Sequence, residues 1–252
     1  MNDIIKITSR SNSVIKKVVE MKSSPCSEKF IIEGAKFIKD IDIECIIELF
    51  TTQPDKYEEI IIQLQNKNIP IYFISEEVMD KICDVNSGVN ILCVIKKPLT
   101  ERPDKLIILD EIQDPGNVGT IIRTATAFGF GIIAGNGTAN PFSSKIVRSS
   151  AGALLNCHLI NTELVTYIEN LKREGFIIFS SELDETAETL SLQDQNIKKC
   201  AIIIGNEGAG VSKLVSKTAD KKIYIPMNRG LNSLNAAIAA GIIMYHFNNV
   251  IL

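Results

Sequence analysis

The 252-residue sequence contains no run of about eighteen consecutive apolar residues, so no membrane-spanning helix is predicted. Its N-terminus alternates charged and apolar residues and has no signal-peptide core, which predicts a cytosolic protein. The six cysteines, Cys26, Cys45, Cys83, Cys93, Cys157 and Cys200, show no C-x-x-C spacing, and only His158 and His246 could join them as ligands. Reduced, buried thiols and no metal are expected. An excess of positive charge is also missing: 27 Lys and Arg face 30 Asp and Glu. A nucleic-acid binder ordinarily carries surplus cations to replace phosphate counterions, so the overall balance points away from one. There is no internal repeat and no low-complexity tract.

The charge that is present is uneven. Lys6, Arg10, Lys16, Lys17, Lys22, Lys29, Lys36 and Lys39 crowd the start, and Asp40, Asp42, Glu44, Glu48, Asp55, Glu58 and Glu59 follow as an acidic block. A basic face near the N-terminus and an ordinary solvated helix face both fit that pattern. Hydrophobic residues make up 45% of the chain, much of this in Ile-rich runs of the kind that central strands use. Apolar spacing predicts helices over residues 11–21, 55–66 and 76–83, and strands over 30–33, 45–50, 69–74 and 90–95. Residues 1–97 therefore read as a small α/β domain. The polar stretch 98–104, with Pro98 and Pro103, reads as a linker, and 105–252 as a second domain. There, strands at 106–109, 132–134, 176–180, 201–204 and 222–225 alternate with helices, one of them spanning 118–128. Such alternation predicts an α/β fold with a mostly parallel sheet and helices on both faces. Ligands of these sheets bind at the carboxyl ends of strands.

Three strand-to-helix segments lie at such ends. The first, Asp114-Pro115-Gly116-Asn117-Val118-Gly119, is turn chemistry leading into a helix that carries Arg123 about one and a half turns in. On local physics alone Arg123 reads as a surface arginine of an amphipathic helix. The second, Gly205-Asn206-Glu207-Gly208-Ala209-Gly210, is not the dinucleotide fingerprint G-x-G-x-x-G, because Glu207 stands where a glycine must admit a pyrophosphate. That removes the main case for a nucleotide-dependent oxidoreductase. A carboxylate there accepts hydrogen bonds or favours a cation, and the loop also fits a purely structural turn. The third, Ile225-Pro226-Met227-Asn228-Arg229-Gly230-Leu231-Asn232-Ser233-Leu234-Asn235, enters a helix through Ser233 and Asn235. Either residue fits an N-cap, and the Ala236-Ala237 and Ala239-Ala240-Gly241 run fits close helix packing.

Together, in this order, the three segments resemble the SpoU (TrmH) family of RNA ribose 2′-O-methyltransferases. Asn117, Gly119 and Arg123 stand at the first motif, Glu207 at the second, and Ser233 and Asn235 at the third. Lys145, Arg148 and Ser149-Ser150-Ala151-Gly152 are similar to the family's K-x-x-R-x-S-A-G segment, and Ser11-Asn12 and Phe30-Ile31-Ile32-Glu33-Gly34 to its accessory substrate-binding domain. The resemblance implies a deep trefoil knot in the C-terminal sheet (a SPOUT α/β-knot), S-adenosylmethionine as methyl donor, and a homodimer with its active site near the interface. It assigns catalysis to Arg123, Asn117, Glu207, Ser233 and Asn235, the methyl donor to Gly205, Ile225, Met227 and Leu234, and RNA contacts to Arg10, Asn12, Lys145 and Arg148. An arginine base conflicts with a guanidinium pKa above about 12, so Arg123 is assigned to stabilising negative charge on the ribose oxygen. The additional N-terminal domain favours 23S ribosomal RNA as substrate. Transfer RNA, and a non-catalytic knotted protein of RNA binding or ribosome assembly, are the alternatives.

Overall fold

A computed structural model describes residues 4–24, 28–38, 41–83, 88–228 and 233–248. Cys26 and the stretch Arg229-Gly230-Leu231-Asn232 of the third segment lie outside the described residues. The chain divides into two compact units, Met1–Pro98 with Phe142–Arg148, and Leu99–Pro141 with Ser149–Leu252.

The first unit runs β1 (Ile5–Ile7), α1 (Ser13–Ser23), β2 (Lys29–Glu33), α2 (Ala35–Ile38), β3 (Ile46–Thr51), α3 (Glu58–Asn66), β4 (Ile71–Ile74), α4 (Glu76–Ile82) and β5 (Ile91–Lys96). The sheet order is β1-β4-β3-β5-β2, parallel from β1 to β3 and antiparallel through β5 and β2. Asn12 caps α1 by accepting the Val14 amide. One face of α1, Ile15 and Val18, is buried with Phe50, Tyr72 and Ile74 of the sheet and Val78, Met79 and Ile82 of α4. The opposite face exposes Lys16 and Lys17, and Lys6, Arg10, Lys29 and Lys36 are exposed as well. The segment Phe142–Arg148 is held in this unit by the Phe142 ring against Phe30 at 5.4 Å and by Arg148 donating to Glu33 at 3.2 Å. Glu33 is only 5% exposed, and Lys22 stands 3.8 Å from its other oxygen. A buried carboxylate needs such cations to offset its lost hydration.

The second unit contains β6 (Lys105–Asp110), α5 (Pro115–Ala127), β7 (Gly131–Gly135), α6 (Ser144–Ser149, only its last residue in this unit), β8 (Leu159–Thr162), α7 (Leu164–Arg173), β9 (Ile177–Ser181), β10 (Glu188–Thr189), β11 (Cys200–Gly205), α8 (Lys213–Ser216), β12 (Lys221–Tyr224) and α9 (Ala236–Phe247). Seven strands in the order β10-β12-β9-β11-β6-β7-β8 pair in parallel throughout. Leu106, Ile108, Ile133, Ile178 and Ile203 point to one face and are covered by Leu164, Ile168 and Leu171 of α7. On the other, Phe179 meets Phe247 of α9 at 5.1 Å, and α9 packs along α5. Each fully buried aliphatic side chain here contributes about 1.5–3 kcal/mol. Cys45, Cys83, Cys93, Cys157 and Cys200 are free and buried, as the spacing predicts. Burial pushes the Cys200 thiol up to about 12, so it stays protonated.

The chain steps outward from β6 to β7 and β8, then returns to build β9 on the opposite side, leaving a gap that β11 fills. The order therefore reverses between β6 and β11, whose last residues, Asp110 and Gly205, are in register. A crevice at the carboxyl ends of strands is expected at such a reversal.

Candidate active site

The loop after β6 begins with Glu111, whose φ of +58° turns the chain out of the sheet. Asp114 then accepts the Asn117 amide at 2.8 Å and Pro115 occupies the first helical position, so α5 starts three residues before apolar periodicity alone indicates. Arg123 consequently sits more than two turns into α5, not one and a half.

The loop after β11 closes on itself. Asn206 and Gly210 exchange backbone hydrogen bonds of 2.9 Å, and the Asn206 side chain accepts the Gly208 and Ala209 amides. Gly205 is required by this closure, because a Cβ there would stand 2.2 Å from the Val211 nitrogen and 2.3 Å from the Gly210 carbonyl carbon. Three further bonds fasten this loop to the first: Asn206 to the Glu111 carbonyl at 2.8 Å, the Ser212 amide to buried Asp110 at 2.7 Å, and Asn117 to Glu207.

The third segment enters through α9. Asn235 caps that helix, its Oδ1 accepting from Ala237 at 2.9 Å and Ile238 at 3.2 Å. Its Nδ2 donates to Asn117 Oδ1 at 2.9 Å, and Asn117 Nδ2 donates to Glu207 Oε1 at 2.8 Å. One residue from each of the three segments thus forms a continuous chain of hydrogen bonds ending on a carboxylate. Burial raises the Glu207 pKa, but the Asn117 side chain and the Gln113 and Asp114 amides outweigh it and hold the carboxyl below its usual range.

Beside this chain lies a cavity of about 440 Å³, lined among the described residues by Gly205 and Glu207 of the second segment and Ile225, Met227, Ser233 and Leu234 of the third. Ser181, the last residue of β9, and Glu182 and Leu183, which follow it, also line it. No motif points to these three; the only sign in the sequence is their place just beyond a strand. A volume in the range of about 300–1,000 Å³, mixed apolar and polar walls and a lining carboxylate suit a small cationic cofactor.

The remaining candidates fall elsewhere. Arg123 is exposed on α5, is not a lining residue, and has no hydrogen-bond partner among the described residues. Ser233 lines the cavity and likewise makes no hydrogen bond among them. Gly119 works by packing: a Cβ there would lie 1.8 Å from Ser149 Oγ. In the first unit Arg10 donates to the Glu77 carbonyl at 3.0 Å, Asn12 is the α1 cap, Lys145 is exposed and Arg148 is paired with Glu33. No group of three or more potential metal ligands occurs among the described residues.

Residues 104–245 match the family model described as the SpoU rRNA Methylase family. The chain is 30% identical to the Bacillus subtilis 23S rRNA (guanosine(2553)-2′-O)-methyltransferase RlmP over 92% of its own length and 93% of that protein's. It belongs to the SpoU methylase family. Among solved structures this SpoU methylase superimposes on an rRNA methyltransferase from Sinorhizobium meliloti with a TM-score of 0.87, at 24% identity and over 100% of both chains. An AdoMet-bound crystal structure of an rRNA methyltransferase from the same organism gives a TM-score of 0.85 over 99% of each chain, again at 24% identity. The parallel seven-stranded fold is therefore that of the family. The three polar segments meet at its strand-order reversal, and no helix among the described residues is long and apolar enough to cross a membrane.

Proposed function

We propose that this SpoU methylase transfers a methyl group from S-adenosylmethionine to a ribose 2′-hydroxyl of 23S ribosomal RNA, acting in the cytoplasm as a homodimer. The observation that carries the reading is the Asn235–Asn117–Glu207 chain, which joins the three motifs beside a cavity of cofactor size. The Bacillus relative, similar over nearly the full length of both chains, supports the large-subunit substrate.

The lining residues fit the methyl donor. Leu183, Ile204, Ile225 and Leu234 offer apolar surface for a purine and a methionine chain, and Glu207, held ionised, would offset the charge of a sulfonium held in this cavity. When bound, S-adenosylmethionine supplies an activated methyl on a sulfonium. Asn117 and Asn235 fix the Glu207 carboxylate, and Ser233 offers the cavity a free hydroxyl. Arg123, always charged, stabilises the negative charge that develops on the 2′-oxygen. Lys145 and Arg10 lie on the surface, where RNA phosphates are within reach, and the exposed lysines of α1 add to that attraction. The family's trefoil knot belongs to this reading, with β12 and α9 supplying the threaded segment.

Arg123 lies outside the cavity lining, and α9 leaves Ile238, Ile242 and Tyr245 exposed at 57%, 40% and 73%. Their spacing makes one apolar stripe along the helix, next to α5. A second copy packing on this stripe covers it and brings Arg123 of one protomer to the cavity of its partner. The reading is tested by incubating the protein and labelled S-adenosylmethionine with protein-free ribosomal RNA and, separately, transfer RNA from cells lacking it. Label confined to alkali-resistant dinucleotides of 23S RNA, lost in Arg123→Ala while methyl-donor binding stays near wild type, is the expected result. Label on transfer RNA alone refutes the substrate. Loss of binding together with transfer gives Arg123 a structural role.

A further inference from the structure

Glu182 lines the cavity but belongs to none of the three motifs. It follows β9, which lies between β11 and β12, so it stands at the carboxyl end of the sheet with the residues that follow those strands, Asn206 and Ile225. Its side chain is 17% exposed. The carboxylate is held from two sides: Ser180, fully buried, donates its hydroxyl to Oε1 at 2.5 Å, and the Lys222 ammonium stands 3.4 Å from Oε2. Lys222 is shared with Asp184, its nearer partner.

An ionised carboxylate has about four lone-pair sites, and these two partners leave acceptor capacity unused. Glu207, the other carboxylate in the lining, already accepts from Asn117 and two backbone amides. Glu182 is thus an acceptor oriented by a buried hydroxyl, on the wall of a cavity whose lining also includes Leu183, Ile204 and Ile225. A ligand that fills this space has to bring donors to it, or the carboxylate loses water without replacement. The vicinal hydroxyls of a ribose are two donors at the spacing of one carboxylate. We infer that Glu182 binds the ribose hydroxyls of the methyl donor's nucleoside and makes the cavity selective for a ribonucleoside. The inference rests on the S-adenosylmethionine reading above.

The test is isothermal titration of the full chain with S-adenosylhomocysteine and with its 2′-deoxyribose analogue. A hydrogen bond to a charged group makes the wild type prefer the ribose form by about tenfold or more. Glu182→Gln keeps the shape but removes the charge, and the preference falls to about threefold or less. Should that variant melt early, Glu182→Asp, which keeps the charge and shortens the reach, serves for the same comparison. A wild type that binds both ligands equally, or a Glu182 variant that weakens both equally, overturns the assignment. A wild type that binds neither removes the methyl-donor reading itself, and this inference with it.

Discussion

An amide side chain has a direction, and at this site the direction is imposed by a helix. Asn235 must present Oδ1 to the first-turn amides of α9, so its Nδ2 faces Asn117. Asn117 is then obliged to accept with its oxygen and donate with its nitrogen, and the chain can end only on an acceptor, the Glu207 carboxylate. The sequence offered two readings of Asn235, helix cap and active-site residue, and the structure gives one side chain both contacts. Its two atoms serve different partners, which no spacing rule can reveal. Glu182, Asp110 and Asn206 went unread because their importance lies in what folds beside them. The depressed Glu207 pKa has a consequence whose sign is fixed. A carboxyl whose folded value lies below its unfolded one stabilises the site fully above the ordinary carboxylate range and loses that contribution as the pH falls through the folded value. Because the ionised Glu207 offsets the sulfonium charge in the proposed reading, methyl-donor affinity should be flat above the folded value and fall below it, and Glu207→Gln should abolish that acid limb in titration calorimetry across pH. An acid limb that persists in the variant assigns the titration to another group.

At the scale of elements, most strands were legible because runs such as Leu106-Ile107-Ile108-Leu109 and Ala201-Ile202-Ile203-Ile204 are buried on both faces. The strands that escaped are short or mixed: β10 has two residues, β8 reads Leu-Ile-Asn-Thr, and β1 is a three-residue edge strand. Apolar periodicity starts α5 too late for a different reason. Its first turn, Pro115-Gly116-Asn117, has no apolar periodicity and is helical because Asp114 caps it. The cap of α9 has a double task, and its removal should cost accordingly. Asn235→Ala should lower stability by about 1 kcal/mol through the lost cap, read by urea denaturation. It should also weaken methyl-donor binding, because Asn117 is no longer held toward Glu207. A stability loss with unchanged affinity would mean that the cap alone matters.

At the scale of the molecule, Phe142–Arg148 joins the first unit although it comes from the middle of the second, through Phe30 and Glu33. The linear pattern carries no mark of this, since the contacts pair residues far apart in the chain. Whether Arg123 serves its own cavity or a partner's is decided by mixing subunits. Arg123→Ala and Glu207→Ala are each expected to be inactive, and a refolded or co-expressed mixture should regain about a quarter of wild-type methyl transfer, because half the dimers are mixed and each carries one intact composite site. A mixture as inactive as its parents would place Arg123 in its own protomer's site.

The position of β11 has a further consequence, in time. β6, β7 and β8 are made in succession and can pair as they appear, but the strand that completes the centre of the sheet between β6 and β9 is synthesised only after all of them. Contacts that span so much chain form slowly. The nascent protein therefore passes through a stage in which the middle of its sheet is open and the second motif does not yet exist, so a chain that stops before β11 lacks the loop that carries Glu207.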